Sequence, residues 1–143
     1  MEFMESLRIV LDTNVLIAAL RSPTGASYQV LQLIGRGYFE TCVSVPLVLE
    51  YDNVAKRELA ALLIDSKDVD NLIDYICRVS RRSELFFTWR PQLRDPDDEM
   101  VLETAIGNDS HAIVTFNKRD FAGSERFGTR LLTPAELLQE IGA

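Results

Sequence analysis

Apolar residues in this chain follow two patterns: short unbroken runs, and longer stretches in which they return every three or four positions. Ile9, Val10 and Leu11 make a run of the first kind, rich in β-branched residues, which predicts a strand buried on both faces. Residues 15–20 continue as a helix. A Ser22-Pro23-Thr24-Gly25 turn follows, then a helix over 26–34 that stops at Gly35-Arg36-Gly37. Residues 39–45 predict a second strand. Ser44 can cap the next helix and Pro46 suits its first turn, with Leu47, Val48, Leu49 and Tyr51 leading on to Val54. A short helix is expected over 58–64.

The clearest amphipathic pattern is Val69, Leu72, Ile73, Ile76 and Val79, capped by Asp65 or Ser66. Arg78, Arg81 and Arg82 close this helix, where cations complement its dipole. Residues 85–87 predict a short strand, and 88–94, with Trp89 and Pro91, a loop. Asp95-Pro96-Asp97-Asp98-Glu99 opens a helix that runs through Ile106 and ends at 107–109. A buried strand at 112–115 leads into a loop over 116–121. A last strand at 130–132 precedes Thr133, which caps a terminal helix starting at Pro134. Strands alternate with helices throughout, so the expected fold is a three-layer α/β/α sandwich around a mostly parallel sheet. A single domain over 1–143 is expected.

Composition narrows the function more than the fold. Apolar residues at 47% and charged residues at 26% are ordinary globular usage. No apolar run approaches the ~20 residues that span a bilayer, and the acidic amino terminus does not resemble a secretory signal, so a cytoplasmic protein is expected. Cys42 and Cys77 have no metal-site spacing and read as free thiols. A net charge of −7 argues against a protein that coats nucleic acid, because phosphate neutralisation needs Lys and Arg. It leaves room for an enzyme whose site holds cations. The one histidine, His111, reads as a strand-edge residue, so mechanisms built on several histidines are excluded.

Three acids stand out: Asp12, where the first strand gives way to a helix, Glu50 within an apolar helix face, and Asp98, which shares a face with Leu102 and Ala105. The carboxyl edge of a parallel sheet is where open α/β folds place ligands. A carboxylate facing a core is costly unless it is paired or binds a metal, and no Lys or His occupies an obvious neutralising position. Capping and dipole effects alone explain Asp95 and Asp97, but not the inward-facing Asp98. Asp120, in a loop after a strand, is either a turn residue or a fourth member. Together such acids would suit Mg²⁺ or Mn²⁺, which prefer oxygen ligands and lower the pKa of a bound water.

Leu11-Asp12-Thr13-Asn14-Val15-Leu16, Ser44 through Glu50-Tyr51, Asp95-Pro96-Asp97-Asp98 with Leu102-Glu103-Thr104-Ala105, and Ile113-Val114-Thr115-Phe116-Asn117 resemble, in order, the motifs of PIN-domain proteins. The similarity is closest to toxin components of toxin–antitoxin pairs related to VapC. It implies a metal-dependent ribonuclease acting on single-stranded RNA, with Asp12, Glu50 and Asp98 as principal acids and Thr13, Asn14 and Thr115 as supporting polar residues. Many relatives have Asp directly after the strand-end Val-Thr-x; here Asn117 stands there, and the nearest acid is Asp120. Lys118, Arg119 and Arg90 would hold the RNA backbone at the rim. A cognate antitoxin and a homodimer are the partners the resemblance implies.

The alternative is a catalytically weak PIN module acting through an antitoxin or self-association, which the Asn117 departure and the acidic charge favour. An aspartyl phosphatase is disfavoured because Asn14 stands where its second Asp belongs. A flap-type DNA nuclease needs DNA-gripping elements for which 143 residues leave little room. A P-loop NTPase is excluded for lack of a Gly-rich cradle ending in Gly-Lys-Ser/Thr.

Overall fold

Ile9, Val10 and Leu11 lie at the centre of the sheet, as their unbroken apolar run requires. The structure, a computed structural model, describes residues 6–83, 93 and 95–143. Its strands are β1 (Arg8–Leu11), β2 (Glu40–Ser44), β3 (Arg81–Ser83), β4 (Ala112–Val114) and β5 (Arg130–Leu132), all parallel, in the order β3-β2-β1-β4-β5. The helices are α1 (Thr13–Arg21), α2 (Ala26–Leu33), α3 (Val45–Arg57), α4 (Ser66–Val79), α5 (Pro96–Gly107) and α6 (Pro134–Ile141).

Strand alternation sorts the core into two layers. Val10 and its register partner Ile113 face Leu47 and Tyr51 of α3, Ile76 of α4, and Leu102 and Ala105 of α5. Ile9, Leu11, Ala112 and Val114 face Val15 of α1, Val30 of α2, and Leu137 and Leu138 of α6. Each fully buried aliphatic side chain contributes about 1.5–3 kcal/mol, which is why a strand as short as β1 holds its place. The α/β/α sandwich expected from the sequence is therefore the fold of the chain. The strands progress outward from β1 through β2 to β3, and the chain then returns to lay β4 on the other side of β1. This reversal lies between β1 and β4, and at such a point the carboxyl ends of the strands leave a crevice.

Several elements differ from expectation. Arg81 and Arg82 do not extend α4: Ser80 ends it with extended backbone, and the arginines pair in register with Cys42 and Val43 as the edge strand β3. Three consecutive polar residues carry no strand periodicity, yet exposed charges suit an edge. The helix expected over 58–64 is one 3-10 turn, Leu59–Ala61. The second strand is shorter than 39–45, because Ser44 already serves as N-cap of α3, accepting from the Leu47 N–H at 3.4 Å. Residues 116–121 contain a 3-10 turn, Lys118–Phe121, anchored by the buried Phe121. The strand expected at 85–87, Arg90, and the loop at 88–94 apart from Leu93 lie outside the described residues. Asp65, not Ser66, caps α4, in a reciprocal box with Asp68. Both cysteines are free.

Candidate active site

Three chain reversals bring carboxylates to the carboxyl edge of the sheet. Asp12 follows β1 directly as N-cap of α1, and its N–H continues the ladder to the Val114 carbonyl at 2.9 Å. Thr115 follows β4, the neighbouring strand, and is fully buried. Its hydroxyl donates to Asp12 Oδ2 at 2.8 Å and accepts the Asn117 N–H at 3.0 Å. Asp98 enters from α5, whose first turn Asp95 caps by accepting the Asp97 N–H at 2.8 Å. Asp120 sits in the 3-10 turn after β4, held by its N–H to the Asn117 carbonyl at 3.0 Å.

The electrostatics show which of these groups share a field. Asp12 is only 6% exposed. Burial pushes its carboxyl above the ordinary range, the hydrogen bonds from Thr115 and the Thr13 backbone pull the other way, and the charges of Asp120 and Asp95 add to the rise. Burial also pushes Asp98 up, to about 7, helped by the charges of Asp95, Asp12, Asp120 and Asp97. The charges of Asp120 and Asp95 thus act on both Asp12 and Asp98, and that of Asp12 on Asp98.

Glu50 stands differently. Burial and the Asp97 charge raise its pKa, Arg57 opposes them, and Asp95 adds a smaller push; Asp12 is not among the charges acting on it. Glu50 is the sixth residue of α3, and the charges it feels are those of the first turn of α5 and of Arg57 on its own helix.

The supporting residues separate as well. Thr13 is buried and Asn14 exposed at the start of α1, and Asn117 contributes its backbone. Lys118 pairs with Glu136 at 2.6 Å, holding that carboxyl down at about 2, while Arg119 is exposed beside it. Three contributors escaped the sequence reading. Asp95 is a cap, as expected, but also a source of charge on Asp12, Asp98 and Glu50. Glu99 is the most buried acid of the 95–99 run and accepts the Leu93 N–H at 2.7 Å, a partner no periodicity reveals. Tyr51 is fully enclosed and donates to the Leu11 carbonyl at 2.6 Å, fixing the strand end that carries Asp12. His111 lies at the opposite, amino end of β4, its Nδ1 accepting the Arg8 N–H at 2.8 Å, far from this chemistry in the topology.

The donor set is chemically suited to a hard divalent cation: oxygen ligands only, with mutual repulsion that a cation relieves. Among the described residues, no group of three or more His, Cys, Asp or Glu side chains is arranged to hold a metal ion. Asp12 and Asp98 are partly or fully buried carboxylates at this edge, and both feel the charge of the exposed Asp120.

The PIN domain family model matches residues 8–119, a span from β1 into the turn that carries Asp120. The chain belongs to the PIN domain family. The PIN fold is also that of a chain in the crystal structure of VapBC2 from Rickettsia felis bound to a DNA fragment from their promoter. The similarity has a TM-score of 0.58 at 13% identity and covers 89% of this chain and 98% of that one. No curated protein matches the sequence. Within this PIN domain the matched span takes in Asp12, Glu50 and Asp98 and stops one residue short of Asp120.

Proposed function

We propose that this chain is a single PIN-type nuclease domain, a toxin-like endoribonuclease that hydrolyses phosphodiester bonds of single-stranded RNA with Mg²⁺ or Mn²⁺. The observation that carries the proposal is the buried Asp12 carboxylate at the crevice between β1 and β4, held there by the Thr115 hydroxyl and acting with its charge on Asp98. Two carboxylates kept at high cost in that place have a use when a cation joins them. Membership of the PIN family supports the same chemistry.

Asp12 and Asp98 would be the principal ligands, Asp120 a third, and Glu50 an outer acid reaching the site through the field of Asp95 and Asp97. The bound ion would supply Lewis acidity, lowering the pKa of a water and offsetting charge on the phosphate. Thr115 orients Asp12 and keeps its Oδ2 hydrogen-bonded, while Thr13 and Asn117 hold the backbone on either side. Asn14, exposed at the start of α1, would stand at the entrance, and Lys118 and Arg119, with Arg90, would grip the RNA backbone.

The likeness to a VapBC2 chain supports an antitoxin as partner, and the toxin reading brings with it a homodimer acting in the cytoplasm. No helix among the described residues is long and apolar enough to cross a membrane. The second reading, a catalytically weak PIN module that acts through its protein partners, is favoured by Asn117, which stands where many relatives carry the fourth acid, and by the net charge of −7. Cleavage of a labelled single-stranded RNA by the wild type and Asp12→Asn, in Mn²⁺ and in EDTA, separates the two. Mn²⁺-dependent cleavage lost in the variant supports the nuclease; equal cleavage by both proteins removes it.

A further inference from the structure

Phe116 is 48% exposed, although it follows Thr115, which is completely buried and holds Asp12. Leaving a phenyl ring in water forfeits its burial energy, and here the ring stands one residue from the carboxylate crevice. The stretch that begins with it departs from the rest of the chain in charge. Residues 116–130 carry Lys118, Arg119, Arg126 and Arg130 against Asp120 and Glu125, in a protein whose net charge is −7. A second exposed ring, Phe127, lies under the Arg126 guanidinium at 5.8 Å. Cations interleaved with exposed aromatics are the surface chemistry that single-stranded nucleic acids use, because every base offers a π-face and every nucleotide a phosphate.

A groove follows β5 from the loop after β4 towards the amino end of that strand. Lys118 and Arg119, which lie between Phe116 and Asp120 in sequence, line this groove of about 580 Å³ with Glu125, Arg130 and Leu131. Two of these cations are already engaged: Lys118 with Glu136, and Arg130 with both carboxylate oxygens of Glu140 at 2.7 Å. Both pairs are solvent-exposed, so phosphates can replace the carboxylates at small cost. Arg119 has no ion pair among the described residues.

We propose that Phe116 is the base-stacking platform of the substrate track, and that the groove lined by Lys118, Arg119 and Arg130 carries the phosphates of the same unpaired strand away from the crevice. This rests on the nuclease reading above and deepens it. Phe116 selects an unpaired nucleotide, since bases within a duplex already stack on both faces and cannot offer one to the ring.

The test measures binding apart from cleavage. A short fluorescent oligouridylate, the same strand with an abasic position, and a duplex of matching length are titrated with protein by anisotropy, with Ca²⁺ as the cation. Phe116→Ala is expected to weaken the single strand about tenfold, with Phe116→Trp restoring it. The duplex should respond to neither change, and the abasic strand should lose the difference between wild type and Phe116→Ala. Wild-type affinity in Phe116→Ala, or equal weakening of single strand and duplex, overturns the platform. So does a change of oligomeric state by light scattering in Phe116→Ala, which would make the ring a protein interface. Mn²⁺-dependent cleavage that ignores Phe116 removes only the platform; Phe116-dependent binding with no cleavage by the wild type removes only the nuclease.

Discussion

Thr115 Oγ1 donates to Asp12 Oδ2 at 2.8 Å across the β1–β4 crevice, and the same oxygen accepts the Asn117 N–H at 3.0 Å. One hydroxyl thus links the strand-end acid to the loop that carries the cations and Asp120. Burial raises the Asp12 pKa and this bond resists the rise, so Thr115 holds Asp12 closer to its ionised form as well as in place.

Thr115→Val keeps the shape and removes both halves of that link. The Asp12 pKa should rise further, moving the acid limb of the pH–rate profile for RNA cleavage to higher pH. Cleavage near neutrality should fall roughly 10–100-fold, the usual cost of losing a partner that orients a ligand. Thr115→Ser should recover most of the activity. An unshifted acid limb in the valine variant would show that the bond only positions Asp12.

Asp98 makes the metal-free protein sensitive to pH. Its folded-state pKa of about 7 lies above the 3.8 of a free aspartate, so between these values the native protein keeps a proton the unfolded chain has lost. Stability therefore falls as pH rises through this window. Asp98→Asn should stabilise the metal-free protein above the folded pKa, by about 1 kcal/mol after allowing for screening of a partly exposed carboxyl, or roughly 3–4 °C in Tm. The advantage should vanish below about pH 4. Thermal melts in EDTA across this range check it, and added Mn²⁺ should stabilise the wild type more than the variant.

Much of this was legible in the sequence because it depends on local chemistry. The run Ile9-Val10-Leu11 ending at Asp12 announces a buried strand and an edge carboxylate, and Asp95-Pro96, Ser44 with Pro46, and Thr133-Pro134 announce helix starts that the structure bears out. What was not legible depends on partners distant in the chain. Arg81 and Arg82 become a strand only because Cys42 and Val43 offer an unfilled edge. Glu99 accepts the Leu93 N–H, and Glu50 on α3 feels the charges of Asp97 and Asp95 at the start of α5. No spacing rule carries that information, since the relevant distances are between elements.

Tyr51 shows how the core supports the crevice. Its hydroxyl, enclosed on all sides, donates to the Leu11 carbonyl at 2.6 Å, and burial holds its pKa far above the usual phenol. Tyr51→Phe leaves that carbonyl without this donor in a dry place, a cost of about 1–3 kcal/mol. Denaturant unfolding should show a lower midpoint with an unchanged m-value. Because Leu11 precedes Asp12, Mn²⁺-dependent cleavage should fall beyond what the unfolded fraction accounts for.

The fourth acidic position can be assigned by a pair of substitutions whose effects have opposite signs. Asp120 pushes up the carboxyls of both Asp12 and Asp98, whereas Asn117 is exposed and contributes its backbone N–H to Thr115 and its carbonyl to Asp120. Asp120→Asn removes a like charge, so both neighbouring pKa values should fall and the acid limb of the cleavage profile should move to lower pH. If Asp120 also holds a cation, the same variant should require roughly tenfold more Mn²⁺ for half-maximal rate. Easier ionisation together with weaker Mn²⁺ binding is a combination that general destabilisation does not produce. Adding Asn117→Asp to Asp120→Asn returns a carboxylate three positions earlier, on the same loop, and should restore part of the Mn²⁺ affinity. A shifted acid limb with an unchanged Mn²⁺ requirement would make Asp120 a neighbouring charge only, and would leave Asp12 and Asp98 as the carboxylates that hold the ion.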